Sequence, residues 1–355
     1  MLRLFRATNF RCLESVELEF GERFNLIHGA NASGKTSLLE ALAYLGRGKS
    51  FRGASTANLT RHGAAEFLLF GELEQGGRRK GMGVRNGREG LEVRVGGEPA
   101  ASAAALAESL PLQVIDPEVH NLVAGGPELR RRFLDWIAFH VEHEHLAIWR
   151  RFRRVLKQRN AALRSKASAL TIRSWNAEFL ELALELDGSR RKVFAQSLES
   201  LLAHGTVLLG TELSFEYRPG WAMEKSLPET LESGLERDLA LGATQAGPHR
   251  ADIKIGYDER QARKLVSRGQ QKLLASAMIL AATQTAQAAL ERPLLLLLDD
   301  PAAELDRDSI GRLMSAVSAL GCQVVATSLD PDALNFPEPP VMFHVEHGEI
   351  TRLSQ

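Results

Sequence analysis

Apolar and polar residues alternate through LRLFRA (2–7) and SVELEF (15–20), and a third run ends in RFNLIHG (23–29). This period of two predicts β-strands. A Gly-rich turn follows, then a helical pattern from about Thr36 to Leu45. FLLFGELE and GMGVRNGREGLEVRV, within 66–95, predict a meander with Gly-containing turns. AASAAALAES is a small-residue helix or a spacer, and LPLQVI (110–115) predicts a short buried strand. From about Glu128 to Leu208 the apolar spacing changes to three and four, the signature of long amphipathic helices. LSFEYRPG reads as a strand, and LPETLESGLERDLALG as one acidic amphipathic helix. After Gly247 strand character returns in ADIKIGYD, LLLLLDD, CQVVATS and the closing pair VMFHVEH/EITRL.

This order predicts a mixed α/β unit in two halves, 1–116 and 241–355, around a mainly helical insertion, 117–240. Composition narrows the function. The 355 residues carry 44 basic and 44 acidic side chains, so any nucleic-acid binding must come from a local patch. Cys12 and Cys322 match no metal or redox spacing and read as reduced, buried small hydrophobes of an intracellular protein. The N-terminus lacks an apolar core of the signal-peptide kind, and no run of about 18 apolar residues exists. A soluble, cytoplasmic protein is expected.

Gly29–Thr36, GANASGKT, fits G-x-x-x-x-G-K-[ST] between an apolar strand and a helix. Gly29 and Gly34 let the backbone N–H groups, with those of Ala30, Asn31, Ala32 and Ser33, wrap a phosphate at a helix N-terminus. Lys35 reaches the β- and γ-phosphates, and Thr36 offers its hydroxyl to Mg²⁺. LLLLLDD supplies the usual partner, a buried strand ending in carboxylates. Asp299 stands where a Mg²⁺ ligand belongs, and Asp300 where a carboxylate orients the attacking water.

Two further stretches select the subclass. SRGQQ (267–271) lies 32 residues before Asp299, and AAELD follows it. Walker A, signature turn, Walker B and D-loop in this order resemble the ABC-type ATPases. NFRCLESVELEF, PEVHNLVAGGPELRRRFLDW (117–136), TQAGPHRADI (244–253), SRGQQKLLASA and LLLLDDPAAELD together resemble the RecF family of bacterial recombination mediators. The resemblance implies an ATP-binding lobe of the SMC-head kind with a helical second lobe inserted. It also implies ATP-dependent homodimerisation, binding to duplex and gapped DNA without sequence preference, weak ATP hydrolysis, and work with RecO and RecR to place RecA on DNA. In such heads the signature turn of one protomer closes over the γ-phosphate held by the other, which assigns Ser267, Arg268, Gly269 and Gln270 to that contact. Gln113 becomes the Q-loop residue near Mg²⁺, and Asp306 the D-loop residue.

There are departures. Ser328 replaces a γ-phosphate-sensing histidine, and Asp300 replaces glutamate, so hydrolysis should be slow. Arg268 replaces the first glycine of LSGGQ and adds a cation. For DNA, HLAIWRRFRRVLKQRNAALRSK (145–166) contains no acid and carries Arg150, Arg151, Arg153, Arg154, Lys157 and Arg159. Arg47, Lys49 and Arg52, just past the Walker helix, form a second candidate. A solvated face is the plainer reading of the first stretch. Arg130–Arg132 could bind DNA or bridge the lobes; His249 and Arg250 could touch nucleotide or cap a strand. A transporter subunit would need a histidine at position 328 and a shorter Walker A–B spacing, and an SMC tether would need hundreds of heptad residues. A kinase or GTPase would leave SRGQQ without a role.

Overall fold

The computed structural model describes residues 1–257, 260–261 and 266–353; Asp258, the end of the strand expected in ADIKIGYD, lies outside them. The chain opens with β1 (Leu2–Phe10), β2 (Leu13–Glu19), β3 (Phe24–His28), α1 (Lys35–Arg47) and α2 (Thr56–Leu59). The meander is β4 (Glu66–Gln75), β5 (Arg78–Gly87), β6 (Gly90–Val95) and β7 (Glu98–Pro99), followed by α3 (Ala104–Ser109) and β8 (Leu112–Ile115). Helices α4 (Asn121–Ala124), α5 (Pro127–Val141), α6 (His145–Arg164), α7 (Ala169–Ser174) and α8 (Asn176–Leu209) come next. Then β9 (Leu213–Arg218), α9 (Leu227–Ser233), α10 (Leu235–Leu241), β10 (Asp252–Tyr257), β11 (Arg260–Gln261) and α11 (Arg268–Leu290) alternate. The chain closes with β12 (Leu295–Leu298), α12 (Arg307–Ala319), β13 (Gln323–Ser328), β14 (Val341–Glu346) and β15 (Glu349–Arg352). LPETLESGLERDLALG is two helices, because Gly234 caps the C-terminus of α9 through its N–H to Thr230 O.

Two compact units result. The first comprises Met1–Val119 and Glu291–Gln355, the second His120–Leu290. Packing therefore groups 241–290 with the helices, where the sequence pattern groups it with the ATP-binding lobe. The reason is direct: β10 pairs antiparallel with β9, and α11 packs on α8 and α5.

In the first unit, an antiparallel sheet (β2-β1-β4-β5-β6-β7) and a second sheet (β15-β14-β3-β13-β12-β8) share one core with α1. The strands β14, β3, β13, β12 and β8 of the second sheet are parallel. Every residue of β12 is buried, as a leucine run in a sheet covered on both faces requires. Gln323 joins the sheets: its amide donates to Leu2 O and Gly21 O, each at 2.8 Å, and accepts from Leu2 N–H.

In the second unit α8, 34 residues and about 50 Å long, is packed by α5, α6 and α11. Length and composition alone would let α11 cross a membrane, but 67% of its apolar window is buried within the protein. Arg159 lies on the inner line of α6 with Phe152, Val155 and Leu163. It is fully buried and donates to Asp238 Oδ2 (2.8 Å), Thr244 Oγ1 (2.6 Å) and Asn176 Oδ1 (3.2 Å). Removing one member of such a pair strands the other charge in a dry interior, at a cost of about 3–5 kcal/mol. Asp238→Ala should therefore lower the melting temperature of the second unit in calorimetry, and the double variant Arg159→Leu/Asp238→Leu should recover most of that stability.

Candidate nucleotide site

The loop between β3 and α1 is held to one path. A Cβ on Gly29 would sit 2.3 Å from Val345 O of the neighbouring strand β14, so only glycine fits. Gly34 has φ 119° and Ala32 φ 61°, and Gly348 N–H donates to Ser33 O at 2.8 Å. Gly34 caps α1 without a side-chain bond, which leaves the first N–H groups of the helix turned toward any ligand. Lys35 is buried, and its ammonium donates to Gly29 O (2.7 Å) and Ala30 O (2.8 Å). Burial lowers its pKa, and Asp300 and Asp299 oppose that shift. Ser33 Oγ is buried with no hydrogen-bond partner among the described residues. A phosphate oxygen would satisfy such a buried hydroxyl.

Asp299 and Asp300 close the other side. Asp299 N–H donates to Ile115 O (2.9 Å), and its Oδ1 accepts from Thr36 Oγ1 and Thr327 Oγ1, each at 3.0 Å. Burial raises its pKa, and the two hydroxyls pull it back. Asp300 has φ 47°, the left-handed region, and its N–H donates to Thr327 Oγ1 at 2.9 Å. Asn31–Ser37, Cys12, Arg52, Asp299 and Asp300 line a cleft of about 240 Å³. That is below the ~300–1,000 Å³ of a site enclosing a whole drug-sized ligand, and it suits the phosphate end of one. The hydroxyl of Thr36 beside the carboxylate of Asp299 is a hard-oxygen pair of the kind that would hold Mg²⁺.

A buried strand ending in a carboxylate, placed against a glycine-cornered phosphate loop, defines the fold class, and comparison with known proteins agrees. The family described as RecF/RecN/SMC N terminal domain matches residues 1–351. "DNA replication and repair protein RecF" from Azotobacter vinelandii is 40% identical, covering 97% of this chain and 96% of that protein. The protein of the same name from Shewanella pealeana is 37% identical, covering 97% of both. The chain belongs to the RecF family. Among solved structures, "the recombination mediator protein RecF-ATPrS in RecFOR pathway" has TM-score 0.89 at 24% identity, covering 100% of this chain and 98% of that one. An Smc head bound to the C-winged helix domain of ScpA has TM-score 0.60 at 16% identity, covering 99% and 97%. The fold is that of the ABC/SMC-like ATPases.

Several residues stand elsewhere than the sequence pattern suggests. Gln113 does not line the cleft. It pairs with Leu296, three residues or about 10 Å before Asp299 along the strands, and its Oε1 accepts from Arg47. The residue that follows β8, one place past the Ile115–Leu298 pair and so beside Asp299, is Asp116. Burial and the nearby Asp299 push its pKa up to about 6, against Arg47. Arg47, expected to face DNA, turns inward to Leu112 O and Gln113, and burial pushes its pKa down to about 10. Arg52 lines the phosphate cleft, and Lys49 is exposed. Cys12, expected in the core, is exposed on the cleft with its Sγ 3.5 Å from Ser37 Oγ; Cys322 is buried, and burial pushes its thiol up to about 12. Asp306 caps α12, accepting from Ser309 N–H at 2.8 Å. Ser328 is buried and donates to Asp330 O.

In the second unit, Ser267 and Gln270 cap α11 reciprocally: Ser267 N–H donates to Gln270 Oε1 (2.9 Å) and Gln270 N–H to Ser267 Oγ (3.3 Å). Ser267 and Arg268 are exposed, and Gly269 is half-buried. Arg150, Arg153, Arg154, Lys157 and Arg164 form an exposed stripe on α6 opposite its buried face, with Arg151 at its margin. Arg153 stacks on Trp149, 4.6 Å from its ring centre. Arg130 pairs with Asp252 and donates to the carbonyls ending α4, while Arg131 donates to Ala251 O; both tie α5 to β10. Arg132 pairs with Glu128 at the surface. His249 bonds Thr244 O at 2.8 Å, and burial pushes its pKa down to about 4.

Asp116 titrates near 6 when folded and near 4 when unfolded. Ionising it therefore costs stability above pH 6, and the cost disappears below pH 4. Asp116→Asn should melt a few degrees above the wild type at pH 8, with the difference gone at pH 4.

Proposed function

We propose that this chain is an ATP-operated, DNA-bound switch of recombinational repair, acting in the cytoplasm. The observation that carries the reading is the single cleft joining Asn31–Thr36 to Asp299 and Asp300. Lys35 and the loop N–H groups hold the phosphates, and Thr36 with Asp299 would hold Mg²⁺, which would supply charge neutralisation to the phosphates. Asp300 accepts the proton of the attacking water. Its short side chain and the serine at position 328 favour slow turnover, suited to a clock more than to a motor.

Ser267–Gln270 form the second half of the switch. Ser267 and Gln270 cap the start of a 23-residue helix that opens with Arg268 and Gly269, and an exposed helix start beside a cation suits an anion. Across a homodimer that start closes on the γ-phosphate in the partner's cleft. The α6 stripe supplies DNA contact through phosphates, without base readout. The RecFOR pathway named for the structural neighbours supports work beside RecR and RecO, and the family resemblance extends the reading to RecA loading at single-strand gaps.

Sedimentation tests the assembly. ATP should convert the wild type to a dimer, and Ser267→Arg should stay monomeric while still binding ATP. A wild type that stays monomeric with ATP, or a variant that dimerises equally well, refutes the trans contact. For DNA, Arg150→Glu/Arg151→Glu/Arg154→Glu should weaken duplex affinity and flatten the salt dependence by about 0.9 in log–log slope for each phosphate left unneutralised. Unchanged binding moves the DNA site off α6.

A further inference from the structure

Thr327 is absent from every motif in the sequence, yet its hydroxyl hydrogen-bonds both aspartates of the DD pair. It lies on β13, beside Ile27 of β3 in parallel register, one residue past the Ala326–Leu298 pair with β12. The residue is fully buried. A threonine hydroxyl has one proton and two lone pairs. Here the lone pair takes Asp300 N–H at 2.9 Å, and the proton goes to Asp299 Oδ1 at 3.0 Å in preference to Leu298 O at 3.4 Å. Asp300 needs that tether, because its φ of 47° is a conformation L-residues rarely adopt unsupported. Asp299 differs: Thr36 also donates to it, so its carboxylate keeps one hydroxyl if Thr327 is replaced.

We infer that Thr327 is the positioning residue of the hydrolytic step: it fixes the backbone of Asp300, and so the aim of its carboxylate, without touching the nucleotide. The inference rests on the reading of Asp300 as the water-activating carboxylate. It separates two properties of the site. Nucleotide binding depends on Gly29–Thr36, with which Thr327 shares no hydrogen bond among the described residues, meeting Thr36 only through Asp299 Oδ1; turnover depends on where Asp300 points.

Thr327→Val keeps the branched shape and removes both hydrogen bonds, whereas Thr327→Ser keeps the hydroxyl and removes the methyl. The test compares these variants, the wild type and Asp300→Asn by ATP turnover, equilibrium ATP binding with Mg²⁺, and hydrogen exchange of the peptide spanning Leu298–Ala302. Thr327→Val should lose roughly 10- to 100-fold in kcat, the scale of a small misplacement. Its ATP affinity should stay within about threefold, the Asp300 amide should exchange faster, and Ser should restore turnover and protection. Wild-type turnover in Thr327→Val, beside a drop in Asp300→Asn, overturns the inference and leaves the ATPase reading intact. An equal drop in Ser and Val, or failure of ATP binding in Val, also overturns it, because packing would then be the cause. Full turnover in Asp300→Asn overturns the reading of Asp300, and the inference with it.

Discussion

One buried carboxylate organises the nucleotide end of the molecule. Asp299 accepts a hydroxyl from α1 and another from β13, each at 3.0 Å, and those donors meet it only because the sheet runs β3-β13-β12. With β12 buried along its length, the carboxylate is open to a ligand only at the C-terminal edge of the sheet, where ligands of open α/β sheets bind. Burial drives its pKa up, and the hydroxyls favour the charged form. A cation placed there would remove the remaining penalty, so the site is stabler with its ligand than without.

The phosphate loop is held from the opposite side by the end of the chain. Val345 O leaves no room for a side chain at Gly29, Gly348 N–H bonds Ser33 O, and a Cβ on Gly348 would sit 2.5 Å from Cys12 O. Residues near 12, 30 and 300 thus line one cleft, braced from behind by residues near 327 and 347, through pairings of very long sequence separation. Such pairings form only after large loops close. The cleft is therefore a property of the completed unit, not of any segment that could form early.

That separation explains what was legible in the sequence. Gly29–Thr36 and LLLLLDD carry local signals, a turn that demands glycine and a strand that demands burial, and the structure brings them together. The mixed α/β organisation and the long helices between Glu128 and Leu208 follow from periodicity in the same way, whereas the ABC-type head follows from the order of motifs and the family resemblance. Thr327, Asp116 and Cys12 are invisible because strand order and register place them. Gln113 misleads for the same reason: residue type suggests a ligand, while register sets it three residues short. Arg159 was legible in principle, since it shares the spacing of Phe152, Val155 and Leu163; a count of cations overlooks the phase of the helix. The unit boundary moved because the β9–β10 pairing is not a pattern within either strand.

Helix phase also decides how far the basic stretch of α6 can act. The chain has no net charge, so there is no general field to draw in a polyanion. What α6 offers is a stripe whose charges repeat at three, four and seven residues, backed by a buried face that fixes its direction. At physiological salt the field of such a stripe fades within about 8 Å. It would then hold a phosphate backbone already alongside without attracting one from a distance. Such a charge pattern is suited to retaining a polyanion once docked, and docking itself would have to be governed by something else. An assembly that forms only with ATP bound, doubling the stripe in a dimer, would meet that requirement, since two weak sites held at fixed geometry bind far more tightly than either alone.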